Sequence, residues 1–94
     1  MNAVYDSAFV EKLKKVDVRI RKSFKERILL FSQNPHDLKL NNHILKDPYA
    51  ACRSIDVNVD WRAIYREVQI GEETVAYFLE LGTHDQLYKH IRES

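Results

Sequence analysis

The sequence predicts an α+β fold: an N-terminal helical hairpin packed on a small, mainly antiparallel β-sheet. Apolar residues recur with helical spacing as far as Phe31, then alternate one in two from Arg53 to Leu81. A polar connection, His36 to Asn42, separates the two patterns. With 94 residues and 45% hydrophobic side chains, the chain is expected to form one domain, 1–94, around a modest core.

Taking the elements in order, Ala3-Val4-Tyr5 is short and strand-compatible, a candidate edge strand. Asp6-Ser7 supplies N-cap candidates for a helix whose apolar face is Phe9, Leu13 and Val16. A second helix begins near Asp17 and carries Ile20, Phe24, Ile28 and Phe31. Asn34-Pro35 stops it, because proline disfavours a helical conformation in the residue before it. Beyond the connection, Arg53, Ile55 and Val57 alternate with Ser54, Asp56 and Asn58, and Ile64, Arg66, Val68 and Ile70 with Ala63, Tyr65 and Glu67. Gly71-Glu72-Glu73 reads as a tight turn before Val75, Tyr77, Leu79 and Leu81. Short links between three such strands imply an antiparallel meander, covered on one face by the helices. The last strand runs into Gly82-Thr83-His84-Asp85-Gln86-Leu87-Tyr88, which puts His84 on a turn with an aromatic four residues later.

Composition narrows the function classes. Only 2 Gly and 2 Pro argue against a disordered chain, and the longest apolar run, Ile28 to Phe31, is far too short to cross a bilayer. The first residues lack the basic-then-apolar pattern of a secretory signal, and the lone Cys52 has no internal thiol partner; a cytoplasmic location is expected. The formal net charge of +1 conceals an asymmetry. Glu11 to Arg27 holds eight Lys or Arg against three acids, whereas Asp47 onward holds five basic and nine acidic residues. The basic stretch is either a solvated helix face or a surface for RNA or a protein partner. A free-standing nucleic-acid binder is usually more basic overall, so a larger partner is expected to hold any RNA.

Among the residues able to carry chemistry, His84 stands out because imidazole moves protons near pH 7 and strand ends present such groups rigidly. Tyr88 is suited either to stacking on a base or to sealing the core edge. His43 lies where the chain enters the sheet, whereas His36 and His90 sit in polar stretches as ordinary surface histidines. No histidine pair has HxxxH spacing, no CxxC is present, and there is neither a glycine-rich phosphate loop nor a nucleophile elbow. No metal or cofactor is therefore expected. Arg53 is either half of a structural ion pair or a planar fork for a phosphate. Asp56 has the opposite strand parity and should face the other side of the sheet. Asp60 sits in the turn before Trp61, and Trp61 and Tyr65 share parity with Ala63 and pack in or at the rim of the core.

In Asn42-His43-Ile44-Leu45-Lys46, in the Arg53 to Tyr65 run with Asp60-Trp61 and Ile64-Tyr65, and in the terminal Gly82-Thr83-His84, the chain resembles the RelE/ParE superfamily of bacterial toxin–antitoxin toxins, and within it the YafQ-like branch. The resemblance extends over nearly the whole chain from Tyr5. It implies a RelE-like fold and a ribosome-dependent endoribonuclease that cuts mRNA without a metal and is blocked by a cognate antitoxin. Operator DNA would be met only through the antitoxin complex.

By that likeness His43, Asp60 and His84 match acid–base positions, Arg53 a phosphate contact, and Tyr88, Lys46 and Arg62 RNA contacts. The branch usually has histidine where this chain has Asp56 and an acid where it has Ser54. A carboxylate, with an unperturbed pKa near ~4, can serve as a base but is a poor acid at neutral pH. The expected assignment is His84 as general acid, His43 or Asp60 as general base, Arg53 at the phosphate and Asp56 as an alternative base. The competing expectation is a non-nuclease on the same scaffold, either a ParE-like gyrase inhibitor or a degenerate homologue that only binds antitoxin.

Overall fold

The computed structural model describes the backbone of residues 1–93 and the side chains of residues 1–88, so the expectation for the His90 side chain lies outside the described residues. Strand β1 (Ala3–Tyr5) leads into helices α1 (Ser7–Lys15) and α2 (Val18–Gln33). A 3-10 turn (Leu38–Leu40) then precedes β2 (His43–Ile44), β3 (Arg53–Asp56), β4 (Trp61–Ile70), β5 (Glu73–Thr83) and helix α3 (His84–Glu93). The strands form one sheet in the order β1-β5-β4-β3-β2, with β1 parallel to β5 and all other pairs antiparallel.

Both helix starts follow from their caps. The Asp6 carboxylate accepts the Ala8 N–H at 2.9 Å and that of Asp17 accepts the Arg19 N–H at 2.8 Å, each satisfying an amide that the first turn leaves unpaired. Asp6 is also tied to the sheet. Its N–H donates to the Phe78 carbonyl at 3.0 Å, and the Tyr77 hydroxyl donates to its Oδ1 at 2.6 Å. The Tyr77 hydroxyl, then the Ala8 amide, hold the Asp6 carboxyl below the usual carboxylate range, while the same bond pushes the Tyr77 hydroxyl up.

One face of the sheet takes the helical hairpin. Phe9, Phe24 and Phe31 meet Ile55, Tyr65 and Phe78 there, with ring centroids 5.1 Å apart for Phe31–Tyr65 and 5.7 Å for Phe9–Phe78. Tilted and edge-on contacts dominate, the arrangement aromatic quadrupoles favour. Leu40 is fully buried in the same core, so the connection read as merely polar contributes an anchor through its 3-10 turn, capped by Asp37.

The opposite face is covered too, which the sequence pattern did not predict. Leu87 and Tyr88 of α3 pack on Ile64 and Cys52, with Leu45, Tyr49 and Leu79 at the margin. Burial in this cluster pushes the Cys52 thiol up. The strand read as ending at Leu81 continues to Thr83, and His84 opens a helix instead of sitting on a turn. A reciprocal cap explains the boundary: Gln86 N–H donates to Thr83 Oγ1 at 3.2 Å and Thr83 N–H donates to Gln86 Oε1 at 3.1 Å. Gly82 makes the close approach possible, since a Cβ there would lie 3.0 Å from Gln86 Oε1 and 3.3 Å from two Leu87 carbons. A register shift pairs Ile64 with Glu80 but Tyr65 with Phe78, leaving Leu79 as an extra residue in β5. Val75, Tyr77 and Leu79 therefore lie on the α3 side, whereas Leu81 pairs with Ala63 and joins the helical core.

Candidate functional site

The pairing register sorts the candidate residues by face. Directly opposed residues in an antiparallel pair share a side, so His43, Ser54, Ile64 and Glu80 form one row on the α3 face and Asp56, Arg62 and Gly82 the next. Arg53 pairs with Tyr65 and lies on the hairpin side. Its Nε donates to Asn42 Oδ1 at 2.7 Å, and Asn42 Nδ2 donates to the Tyr65 hydroxyl at 2.7 Å. The expected phosphate role for Arg53 thus meets a geometric objection. β3 has no bulge to turn its side chain toward His84, and the guanidinium is engaged in a network that closes the core.

His84 and Tyr88 are one turn apart on α3, and their rings touch with centroids 4.6 Å apart. Tyr88 is buried with its hydroxyl unpartnered among the described residues, and the Tyr49 ring lies against it at 6.2 Å. Tyr49, which sequence reasoning did not single out, is held by its N–H donating to the Lys46 carbonyl at 2.9 Å. Burial, with Glu80 beside it, pushes the Tyr49 hydroxyl up. Lys46 itself is exposed at the start of this loop. Ser54, fully buried under the same face, has no partner for its hydroxyl among the described residues. Arg66 is a further cation on this side, exposed and set over the Tyr77 ring at 5.8 Å.

Asp60 and His84 are brought together at the end of the sheet. With Val59, Trp61, Thr83 and Asp85 they line an open cleft of about 360 Å³, and the His84 N–H donates to the Asp60 carbonyl at 3.1 Å. The turn itself is built by Asn58, whose Oδ1 accepts the N–H groups of Asp60 and Trp61 at 2.9 and 2.8 Å. Asn58 thus supplies the side-chain bonds that hold the turn, and the Asp60 carboxylate takes no part in them. The Asp60 carboxylate is exposed with no hydrogen-bond or ion-pair partner among the described residues.

His43 is exposed at the sheet edge, its Nδ1 2.8 Å from the Asn41 carbonyl. A carbonyl only accepts, so Nδ1 carries the proton and the neutral ring keeps a lone pair on Nε2. Asp56 is less available. Its Oδ1 lies 2.9 Å from Arg62 Nε in a pair whose side chains are only 24% and 18% exposed. Arg62 Nη1 points inward to the carbonyls of Asn58, Val59 and Trp61, so most of this guanidinium is committed within the chain.

Neither a protein-family model nor a curated protein sequence matches the chain. Solved structures do. YafQ from E. coli strain BL21(DE3) is 22% identical, with a TM-score of 0.72 over 93% of this chain and 97% of that one. A YoeB/ParE toxin from Agrobacterium tumefaciens is 18% identical, with a TM-score of 0.70 over 89% and 99%. A variant of the toxin RelE from E. coli in its free state is 17% identical, with a TM-score of 0.65 over 98% and 90%. A helical hairpin on a five-stranded, mainly antiparallel sheet, with a helix on the opposite face, is thus the fold this chain shares with YafQ, the YoeB/ParE toxin and RelE.

Proposed function

We propose that this protein is the toxin of a toxin–antitoxin pair and acts as a ribosome-dependent, metal-independent endoribonuclease on mRNA. The observation that carries this reading is the cleft that joins His84 to an Asp60 carboxylate without a partner among the described residues, with the His84 ring tilted against Tyr88. The shared fold adds support, and YafQ itself is seen with DinJ in a toxin–antitoxin complex.

In this reading a base takes the proton of a ribose 2′-OH, whose oxygen attacks the adjacent phosphorus. The P–O bond to the 5′-oxygen breaks, and an acid gives that oxygen its proton, leaving a 2′,3′-cyclic phosphate and a 5′-hydroxyl. Asp60 or the Nε2 of His43 serves as base and His84 as acid. The exposed His84 ring, backed by the buried Tyr88, offers an aromatic surface for a base; Arg66 supplies positive charge on the α3 side and Lys46 at the start of the Tyr49 loop. Among the described residues the exposed cations there are too few to hold an RNA strand alone, which fits a ribosome-held substrate.

The cognate antitoxin would cover the exposed basic residues of α1 and α2, among them Lys12, Lys22 and Lys25. The test is primer extension on an mRNA carried by translating ribosomes and on the same RNA free in solution. Cuts in the first and an intact second support the reading. Efficient cutting of free RNA refutes ribosome dependence, and gyrase inhibition without cleavage assigns the chain to a non-nuclease toxin class.

A further inference from the structure

Arg62 and Asp56 form a largely buried ion pair on the α3 face of the sheet, next to the turn that carries Asp60. The ion pair of 2.9 Å is an electrostatic contact at Nε, and Nη1 reaches the carbonyls of Asn58, Val59 and Trp61 at 3.0, 3.1 and 3.1 Å. The carbonyls of Asn58 and Val59 belong to the link between β3 and β4, and that of Trp61 to the first residue of β4. The same link is closed by Val57 N–H donating to the Trp61 carbonyl at 2.9 Å and by the side chain of Asn58. Its Asp60 carbonyl then accepts the backbone N–H of His84, the first residue of α3.

We propose that Asp56 and Arg62 form a positioning clasp. Asp56 neutralises the guanidinium by charge, its Oδ1 buried beside Nε without a hydrogen bond among the described residues; the guanidinium gathers the carbonyls of the turn, and the turn fixes the Asp60–His84 separation across the cleft. Lysine has one compact ammonium and cannot reproduce contacts made from both Nε and Nη1 of a planar fork. A carboxylate at position 56 is a fitting counter-ion for that fork, so Asp56 acts here through Arg62 and not as the base itself. The catalytic consequence rests on the nuclease reading above; the structural linkage does not.

Two measurements on wild type, Arg62→Lys, Arg62→Gln and Asp56→Asn keep the two apart. Hydrogen exchange of the free protein reports the clasp directly. All three substitutions should raise exchange at the His84 amide by about tenfold, with the α2 amides unchanged. Single-turnover cleavage on programmed ribosomes should then show the maximal rate lowered by up to about 10²-fold, as expected for misplacement by an ångström, with half-saturation within a few-fold of wild type. Arg62→Lys should be no better than Arg62→Gln. Unchanged His84 exchange in Arg62→Lys and Asp56→Asn overturns the clasp, even if Arg62→Gln fails to fold. Weaker half-saturation rescued by lysine at an unchanged maximal rate overturns it in favour of a direct phosphate contact. An inactive wild type refutes the nuclease reading and leaves the exchange result to decide the clasp.

Discussion

Adding one methyl group at Gly82 should loosen α3, and the structure allows the size of the effect to be worked out. The new Cβ would sit 3.0 Å from Gln86 Oε1 and 3.3 Å from Leu87 Cγ and Cδ2. The glutamine oxygen cannot swing away freely, because it accepts the Thr83 N–H that closes the helix cap, and losing such a cap interaction costs about 1 kcal/mol. Crowding the buried Leu87 adds about 1–3 kcal/mol when packing is tight, and somewhat less if α3 shifts by a few tenths of an ångström. Against this, alanine narrows the unfolded ensemble and returns about 0.4–1 kcal/mol, since the backbone at Gly82 is not left-handed. The opposing terms leave a net loss of roughly 1–3 kcal/mol, each kcal/mol lowering Tm by about 4–8 °C for a chain of this size. Thermal unfolding of Gly82→Ala measures the total, and hydrogen exchange at Leu87 and Tyr88 shows whether the loss is local to α3. A Tm equal to or above that of wild type, with unchanged exchange in α3, would refute the inference that Gly82 sets the approach of the helix.

Further expectations follow from other contacts. His84→Gln keeps an exposed polar side chain but cannot cycle a proton near pH 7, so cleavage should fall about 10²- to 10⁴-fold while Tm stays within a degree or two. Phe78→Ala, which empties the centre of the aromatic core, should cost about 3–5 kcal/mol in chemical denaturation. Because the Asp6 carboxyl is held low by Tyr77 and Ala8, it adds stability above its unfolded pKa near ~4 that is lost as pH falls through the lower folded value; Asp6→Asn should flatten this acid limb. The Tyr77 hydroxyl, pushed up by Asp6, adds stability below about pH 10 that is lost as pH rises through its folded value, and Tyr77→Phe should remove that alkaline limb. Replacing Lys12, Lys22 and Lys25 by glutamate should weaken antitoxin binding in calorimetry, whereas unchanged affinity would mark the basic face as ordinary solvated surface.

The helices were legible because their signals are local: Asp6 and Asp17 cap the starts, the phenylalanines keep one face, and Asn34-Pro35 ends the second helix. The meander was legible from alternation alone. What escaped depended on contacts between distant segments. The Leu79 bulge changes which face Leu81 occupies, and no local pattern marks it. α3 did carry a signal, the Thr83-x-x-Gln86 capping box, but the strand pattern running up to it and the short amphipathic stretch after it concealed the helix. Parity correctly separated Arg53 from Asp56, and that separation counts against the phosphate role assigned to Arg53. The inward aim of Arg62 could not be read from sequence, since an arginine on a strand next to a turn serves equally well as an RNA contact.

The central claim is that His84, with Asp60 or His43, supplies acid–base chemistry to a ribosome-held message. End-group analysis of mRNA cut on programmed ribosomes tests it most directly. The account predicts fragments ending in a 2′,3′-cyclic phosphate and beginning with a 5′-hydroxyl, formed by wild type and nearly absent with His84→Gln. Fragments carrying 3′-hydroxyl and 5′-phosphate ends, or equal cleavage by His84→Gln, would contradict it.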